Sequence, residues 1–203
     1  MKSVTAPVNE SFGMNIQNYV HVNFFGFQEI AHLLGGIDVD ITEAEMEEIN
    51  YRIVEQHRFA KRAGVDDSAL PKNLLESYGE NTHLDGRQTL AYARIRKLDG
   101  GDYARAERQR TVLVKLLEKV KQMDTTTLLS LINTGASYIR TNMSLDTILS
   151  VAITVVQNGI DDVPSFRLPV NDSYVQETRN NQSMLYDCDW SKNASELKYF
   201  IYE

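Results

Sequence analysis

Apolar positions alternate in two stretches of the chain and recur at helical spacing in most others. Val20, Val22 and Phe24 share one face of an extended Tyr19–Phe24 run, and Ile37-Asp38-Val39-Asp40-Ile41 alternates strictly, so both predict strands. Between them, Phe27, Ile30, Ala31 and Leu34 fall on one side of a helix. Gly35-Gly36 should end it, because glycine takes the left-handed conformation at a helix C-terminus. Thr42 with Glu45 forms a capping-box signature that opens a helix to about Arg62, with Met46, Ile49 and Ile53 inward. The order strand, helix, strand, helix predicts an α/β fold.

Residues 64–84 read as loop with room for one helical turn. Asp85 and Gln88 then signal an N-cap and a helix through about Ala93, which Leu98-Asp99-Gly100-Gly101 breaks. Asp102 is expected to cap the longest helix, Tyr103 to Met123, with a stripe of Leu113, Leu116, Leu117 and Val120. Further helices are expected over 126–134, over 145–157 behind a Ser144 cap, and over 195–202. Phe166–Pro169 reads as a closing strand and Asn171–Asn181 as a polar connection. No repeat or linker divides the chain, so 1–203 is expected to be a single domain with its own core.

Composition narrows the class. With 42% apolar and 24% charged residues, the chain is neither disordered nor low-complexity. No run of apolar residues is long enough to span a membrane, and Met1-Lys2-Ser3-Val4 does not open a signal peptide. The lone Cys188 excludes an internal disulfide framework and fits either side of a membrane. The net charge of −7 is uneven: Arg87–Lys121 carries 10 basic against 4 acidic residues, while the rest sums to −13. A small basic island on an acidic protein suits a localised anion better than nucleic acid, and a solvated basic helix accounts for it equally well.

The island is also where candidate chemistry concentrates. Arg94 and Arg96 alternate with Ala93 and Ile95, so an extended backbone would project both to one side. Arg105, Arg108 and Gln109 lie at i, i+3 and i+4 and share a helix face, with Asp102 one turn before Arg105. Guanidinium forks beside a helix N-terminus suit phosphate or pyrophosphate. Pairing of the same arginines with the chain's many carboxylates is the competing reading, and spacing alone leaves both open. His21, His32, His57 and His83 are scattered, and GxSxG, Walker A and GxGxxG patterns are absent. Asp38 and Asp40 read as solvated rather than as metal ligands, and Trp190 as a packing residue.

Taken in order, Leu34-Gly-Gly-Ile-Asp-Val39, Leu84-Asp-Gly-Arg-Gln-Thr-Leu-Ala-Tyr92, Arg94-Ile-Arg96, Asp102-x-x-Arg105-x-x-Arg108-Gln109 and Arg140-Thr-Asn-Met-Ser144 resemble the LytR–CpsA–Psr family over about residues 15–170. The family was long labelled transcriptional attenuators. Its members are understood as phosphotransferases, anchored outside the cytoplasm, that move anionic glycopolymers from a polyprenyl pyrophosphate carrier onto peptidoglycan. The resemblance implies an α/β/α sandwich around a mixed sheet, complete or lacking strands, with an apolar tunnel for the prenyl chain. It implies pyrophosphate-binding positions at Arg94, Arg96, Arg105, Arg108 and Gln109, and catalytic positions at Asp102 and Arg105. The helix stripe next to Val112 and the apolar helix over 145–157 are reasonable tunnel walls, and plain core accounts for them equally well.

Mg²⁺ is expected from the family, but its paired aspartates, a further arginine and the anchor belong upstream of the Tyr19–Phe24 strand, and Met1–Glu10 does not resemble that region. Independent catalysis is therefore set against a non-catalytic module that binds polyprenyl phosphates or wall polymer, and against a transcriptional regulator. The expected partners are the pyrophosphate-linked glycopolymer and peptidoglycan, not nucleic acid, with an apolar sheet edge favouring a homodimer.

Overall fold

The computed structural model describes residues 5–64, 66, 73–158, 164–179 and 182–203. In chain order the elements are α1 (Thr5–Phe12), β1 (Val20–Val22), α2 (Phe24–Leu33), β2 (Ile37–Ile41), α3 (Glu43–Ala63), β3 (Gly79–Leu84) and α4 (Gly86–Ala93). There follow α5 (Gly101–Lys121), α6 (Thr125–Gly135), β4 (Ile139–Thr141), α7 (Leu145–Asn158), β5 (Val175–Arg179), β6 (Gln182–Tyr186) and α8 (Trp190–Tyr202). They form two compact units. One is Val20–Asp161, and the other joins Met1–Tyr19 to Asp162–Glu203. Helices with small antiparallel sheets give the expected α/β class. The described strands pair as three separate two-stranded ladders, β1–β4, β2–β3 and β5–β6, all antiparallel.

In the larger unit, local signals set most of the frame. Asn23 caps α2 by accepting the Gly26 N–H at 2.7 Å, so the expected strand over 19–24 shortens to β1 and the helix begins at Phe24. Gly35 and Gly36, at φ 75° and 66°, then turn the chain into β2, where Ile37, Val39 and Ile41 are buried. Asp38 meets His83 Nδ1 at 2.8 Å and Asp40 accepts the Asn81 N–H at 2.7 Å, so both carboxylates tie β2 to β3. Thr42 and Glu45 complete their capping box, and α3 ends at left-handed Gly64. Asp85 and Gln88 form a second box, and all eight residues of α4 are buried. Gly86 makes that burial possible, since a Cβ there would collide with the Gln28 carbonyl and stand 2.6 Å from the His32 nitrogen of α2. Ile37, Ile49, Leu84, Ile95 and Val112 lie at the centre of the core.

Several expectations need correction. β3 forms where a loop was expected, because Gly-Glu-Asn-Thr-His-Leu has no apolar alternation and is held as a strand by pairing with β2. The helical turn expected in the same loop lies partly outside the described residues. Asp102 does not cap α5. Gly100, at φ 86°, is the N-cap and makes no side-chain cap bond. The buried face of α5 is Val112 and Leu116, while Leu113 is 53% exposed.

In the smaller unit, Phe166–Pro169 is irregular rather than a strand and contains a cis Leu168–Pro169 bond. The expected polar connection contains β5, which pairs with β6 as a hairpin. Capping by Asp189 starts α8 at Trp190, ahead of the expected Ser195. Asn193 is fully buried there. It accepts the Val170 N–H at 2.8 Å and donates to Ser173 Oγ and the Asp189 carbonyl.

Candidate functional site

The basic segment runs from the end of α4 into the first turns of α5. Asp102, in the first turn of α5, is bridged by two arginines: Arg96 Nη2 lies 2.9 Å from one carboxylate oxygen and Arg105 Nη1 3.0 Å from the other. All three side chains remain open to solvent, Arg96 most of all at 63%. Gln109 reaches back to the Ala93 carbonyl at 3.4 Å, steadying the backbone that presents Arg94. The helix places Arg105 and Gln109 on the side facing this turn.

Arg108 goes elsewhere. Its Nε donates to Glu45 Oε1 at 2.8 Å, both side chains are 13% exposed, and its buried Nη1 has no partner. Glu45 at the same time closes the capping box of α3 through the Thr42 N–H. Burial pushes the Glu45 pKa up, but the Thr42 hydrogen bond and the Arg108 guanidinium outweigh it and hold the carboxyl below its ordinary range. Tyr92 is pushed up by burial and by the charge of Glu45. Arg108 thus joins α5 to the start of α3, away from the Arg96–Asp102–Arg105 group.

Arg94 faces a cavity. It is the C-cap residue of α4, its guanidinium sits 4.5 Å above the centre of the Phe24 ring, and Nη2 is 3.7 Å from Glu55. Burial lowers its pKa, Glu55 raises it and Arg52 lowers it further, leaving it below the ordinary arginine value. The cavity, about 710 Å³, is walled by Phe24, Phe25, Val54, Phe59 and Leu90, with Arg58, Arg62 and Arg94 among its lining. Its walls therefore come from α2, α3 and α4. Neither Val112 nor α7, the walls expected from the sequence, lines it. Of the predicted anion-binding residues only Arg94 does, while Arg96 and Arg105 meet at Asp102.

Sequence reasoning overlooked Gln56, Arg58 and Arg62 of α3. The signal for Gln56 was available: it occupies an apolar stripe shared with Ile49, Ile53 and Ala60. Among the described residues, no group of three or more His, Cys, Asp and Glu is placed to hold a metal ion. The acidic residue of the cluster, Asp102, is already neutralised by two guanidinium groups. The described residues of this cluster therefore do not by themselves fit a Mg²⁺ site.

The LytR_cpsA_psr family model matches residues 1–197, beyond the 15–170 over which the motifs are legible. The chain belongs to this family. A relative in Bacillus subtilis strain 168, the polyisoprenyl-teichoic acid–peptidoglycan teichoic acid transferase TagV, is 35% identical over 121 residues, covering 59% of this chain and 26% of TagV. Regulatory protein MsrR of Staphylococcus aureus strain Mu50 is 24% identical over 205 residues, covering 100% of this chain and 55% of MsrR. The chain thus spans about half the length, or less, of these relatives. Among solved structures, B. subtilis TagV superposes with a TM-score of 0.65 at 20% identity, over 95% of this chain and 66% of that one. TagT bound to LIIa-WTA gives 0.64 at 21% identity, over 95% and 64%. These likenesses establish a LytR–CpsA–Psr fold. No described helix is long and apolar enough to cross a membrane.

Proposed function

We propose that the chain is the part of a LytR–CpsA–Psr phosphotransferase that binds a polyprenyl pyrophosphate-linked glycopolymer, acting at the extracytoplasmic face of the cell membrane. The observation that carries this reading is Arg94, a cation held over an aromatic ring at a cavity of about 710 Å³ whose lining mixes apolar side chains with Arg58, Arg62 and Glu55. A prenyl pyrophosphate has that polarity: a hydrocarbon that leaves water and an anion that needs fixed donors. The names of TagV and of TagT bound to LIIa-WTA support an anionic wall polymer as the cargo.

In the reaction so envisaged, an acceptor hydroxyl of peptidoglycan attacks the phosphorus bearing the glycan. The P–O bond to the prenyl phosphate breaks, and the hydroxyl proton leaves to a base. In this reading Arg94 supplies donors to the phosphate oxygens from the cavity, Arg96, Arg105 and Gln109 supply them from the Asp102 turn, and Arg105 stabilises the charge that builds there. Asp102 fixes the two guanidinium groups it bridges. Arg108, pinned to Glu45, acts on the frame rather than on the ligand.

Calorimetric titration with geranylgeranyl diphosphate tests the reading. The prenyl diphosphate should bind at least about tenfold more tightly than inorganic pyrophosphate, and Arg94→Ala should remove most of that affinity. Equal binding of the two ligands, or steeply salt-dependent binding of duplex DNA in their place, would overturn it.

A further inference from the structure

Among the polar groups that line the cavity, the buried amide of Gln56 has no hydrogen-bond partner. Of the four buried residues of α3, Ile49, Ile53, Gln56 and Ala60, only Gln56 is polar. It is 6% exposed, it lines the cavity, and neither its Nε2 nor its Oε1 has a hydrogen-bond partner. The neighbouring amide shows the usual arrangement: Asn50 donates to the Leu75 carbonyl at 2.9 Å and accepts the Leu75 N–H at 2.8 Å. Buried amides are almost always paired, and one left open against a cavity points to a partner supplied by the occupant. Leucine or methionine at this place would fill similar space without the unpaired polar atoms, so a wall meant for hydrocarbon alone has no use for glutamine.

We infer that Gln56 is a specificity-determining residue of this cavity, hydrogen-bonding an oxygen of the bound amphiphile and thereby selecting oxygenated isoprenoids over hydrocarbon chains of the same shape. The inference rests on the proposed reading of the cavity as the prenyl site. A glutamine amide offers two donors and one acceptor, so it serves a hydroxyl, an ether or a phosphate oxygen equally. An apolar tail slides past without pairing. Gln56 itself is 6% exposed, so a hydrogen bond it makes lies largely out of solvent, where it is stronger.

Three ten-carbon probes separate the possibilities: geranyl diphosphate, geraniol, and 2,6-dimethylocta-2,6-diene, which is geraniol without its oxygen. In the wild type, geraniol should bind about tenfold more tightly than the diene. In Gln56→Leu and Gln56→Met the ratio should fall close to one, while thermal melting of the unliganded variants stays level or rises. An unchanged ratio in either folded variant, or no preference for geraniol in the wild type, would overturn the inference. Should geranyl diphosphate bind no more tightly than geraniol while the ratio still follows Gln56, the pyrophosphate reading falls and the role of Gln56 stands. Failure of all three probes to bind the wild type would overturn both.

Discussion

Asp102 holds one guanidinium from the loop before α5 and one from its first turn, and that shared carboxylate decides which arginines of the basic segment act together. Arg105 and Arg110 carry the same charge on the same helix, but five residues is about 500° of rotation, which leaves Arg110 roughly 140° away. Arg110 lies 3.7 Å from Glu107 instead. Losing a charge-assisted contact costs about 1.5–3 kcal/mol, so Arg105→Ala should weaken inorganic pyrophosphate binding by roughly 10-fold or more, and Arg110→Ala only slightly. Arg105→Lys should also be impaired, because an ammonium cannot reproduce the planar fork. Equal losses in a calorimetric titration would show that diffuse charge does the binding. Glu45 gives a second residue-scale test. Its folded pKa lies below its unfolded one, so its contribution is present above the ordinary carboxylate range and lost as pH falls through the folded value. Melting curves of wild type and Glu45→Gln should therefore diverge near neutral pH and converge only once the pH has fallen below the ordinary carboxylate range. A gap that does not change with pH would assign the effect to packing.

At the scale of elements, the helix starts are written locally and the helix contacts are not. The α2–α4 crossing depends on Gly86, where an added Cβ would meet the Gln28 carbonyl and the His32 backbone. Gly86→Ala should cost about 3 kcal/mol or more, because neither neighbour is a flexible side-chain end that can give way. Gly64→Ala is the comparison: at φ 65° with nothing within 4 Å, it should cost only the left-handed penalty of about 1–2 kcal/mol. Urea denaturation of the two variants checks the ranking, and equal losses would show that the α2–α4 approach is looser than drawn. The same distinction explains what was legible. Thr42 with Glu45 and Asp85 with Gln88 are short-range signals, and both helices begin where those pairs place them. β3 has no such pattern of its own, and its strand character is supplied by β2 across forty-odd residues of chain.

For the molecule as a whole, each unit carries its own stabilising centre. In the unit joining Met1–Tyr19 to Asp162–Glu203, that centre is polar: buried Asn193 satisfies the Val170 N–H, Ser173 Oγ and the Asp189 carbonyl. Asn193→Ala would take its acceptor from the Val170 N–H and a donor from Ser173 Oγ, at about 1–3 kcal/mol. Hydrogen exchange should accelerate in α8 and in the β5–β6 hairpin, and unchanged protection there would show the network to be dispensable. In Val20–Asp161 the centre is mostly apolar, although Arg87 is buried at 1% exposure, and four arginines of the basic island take three destinations. Arg94 goes to the cavity, Arg96 and Arg105 go to Asp102, and Arg108 goes to Glu45.

By itself the sequence determined the α/β class, the caps and breaks of most helices, the β2 strand and the family, since these rest on spacings within a few residues or on motifs in fixed order. Tertiary structure alone decided the rest. Spacing put Arg105, Arg108 and Gln109 on one helix face, but the carboxylate that captures Arg108 is Glu45, remote in sequence. Likewise the cavity is built from α2, α3 and α4 rather than from Val112 and α7, because helix crossings such as the one at Gly86 are set by shape, not by local pattern. Gln56 stood on an apolar stripe in plain view, yet only the packing around it shows that both of its polar atoms are left facing a cavity without a partner. Charge and periodicity act over a turn of helix, whereas a binding site is defined by which distant surfaces meet.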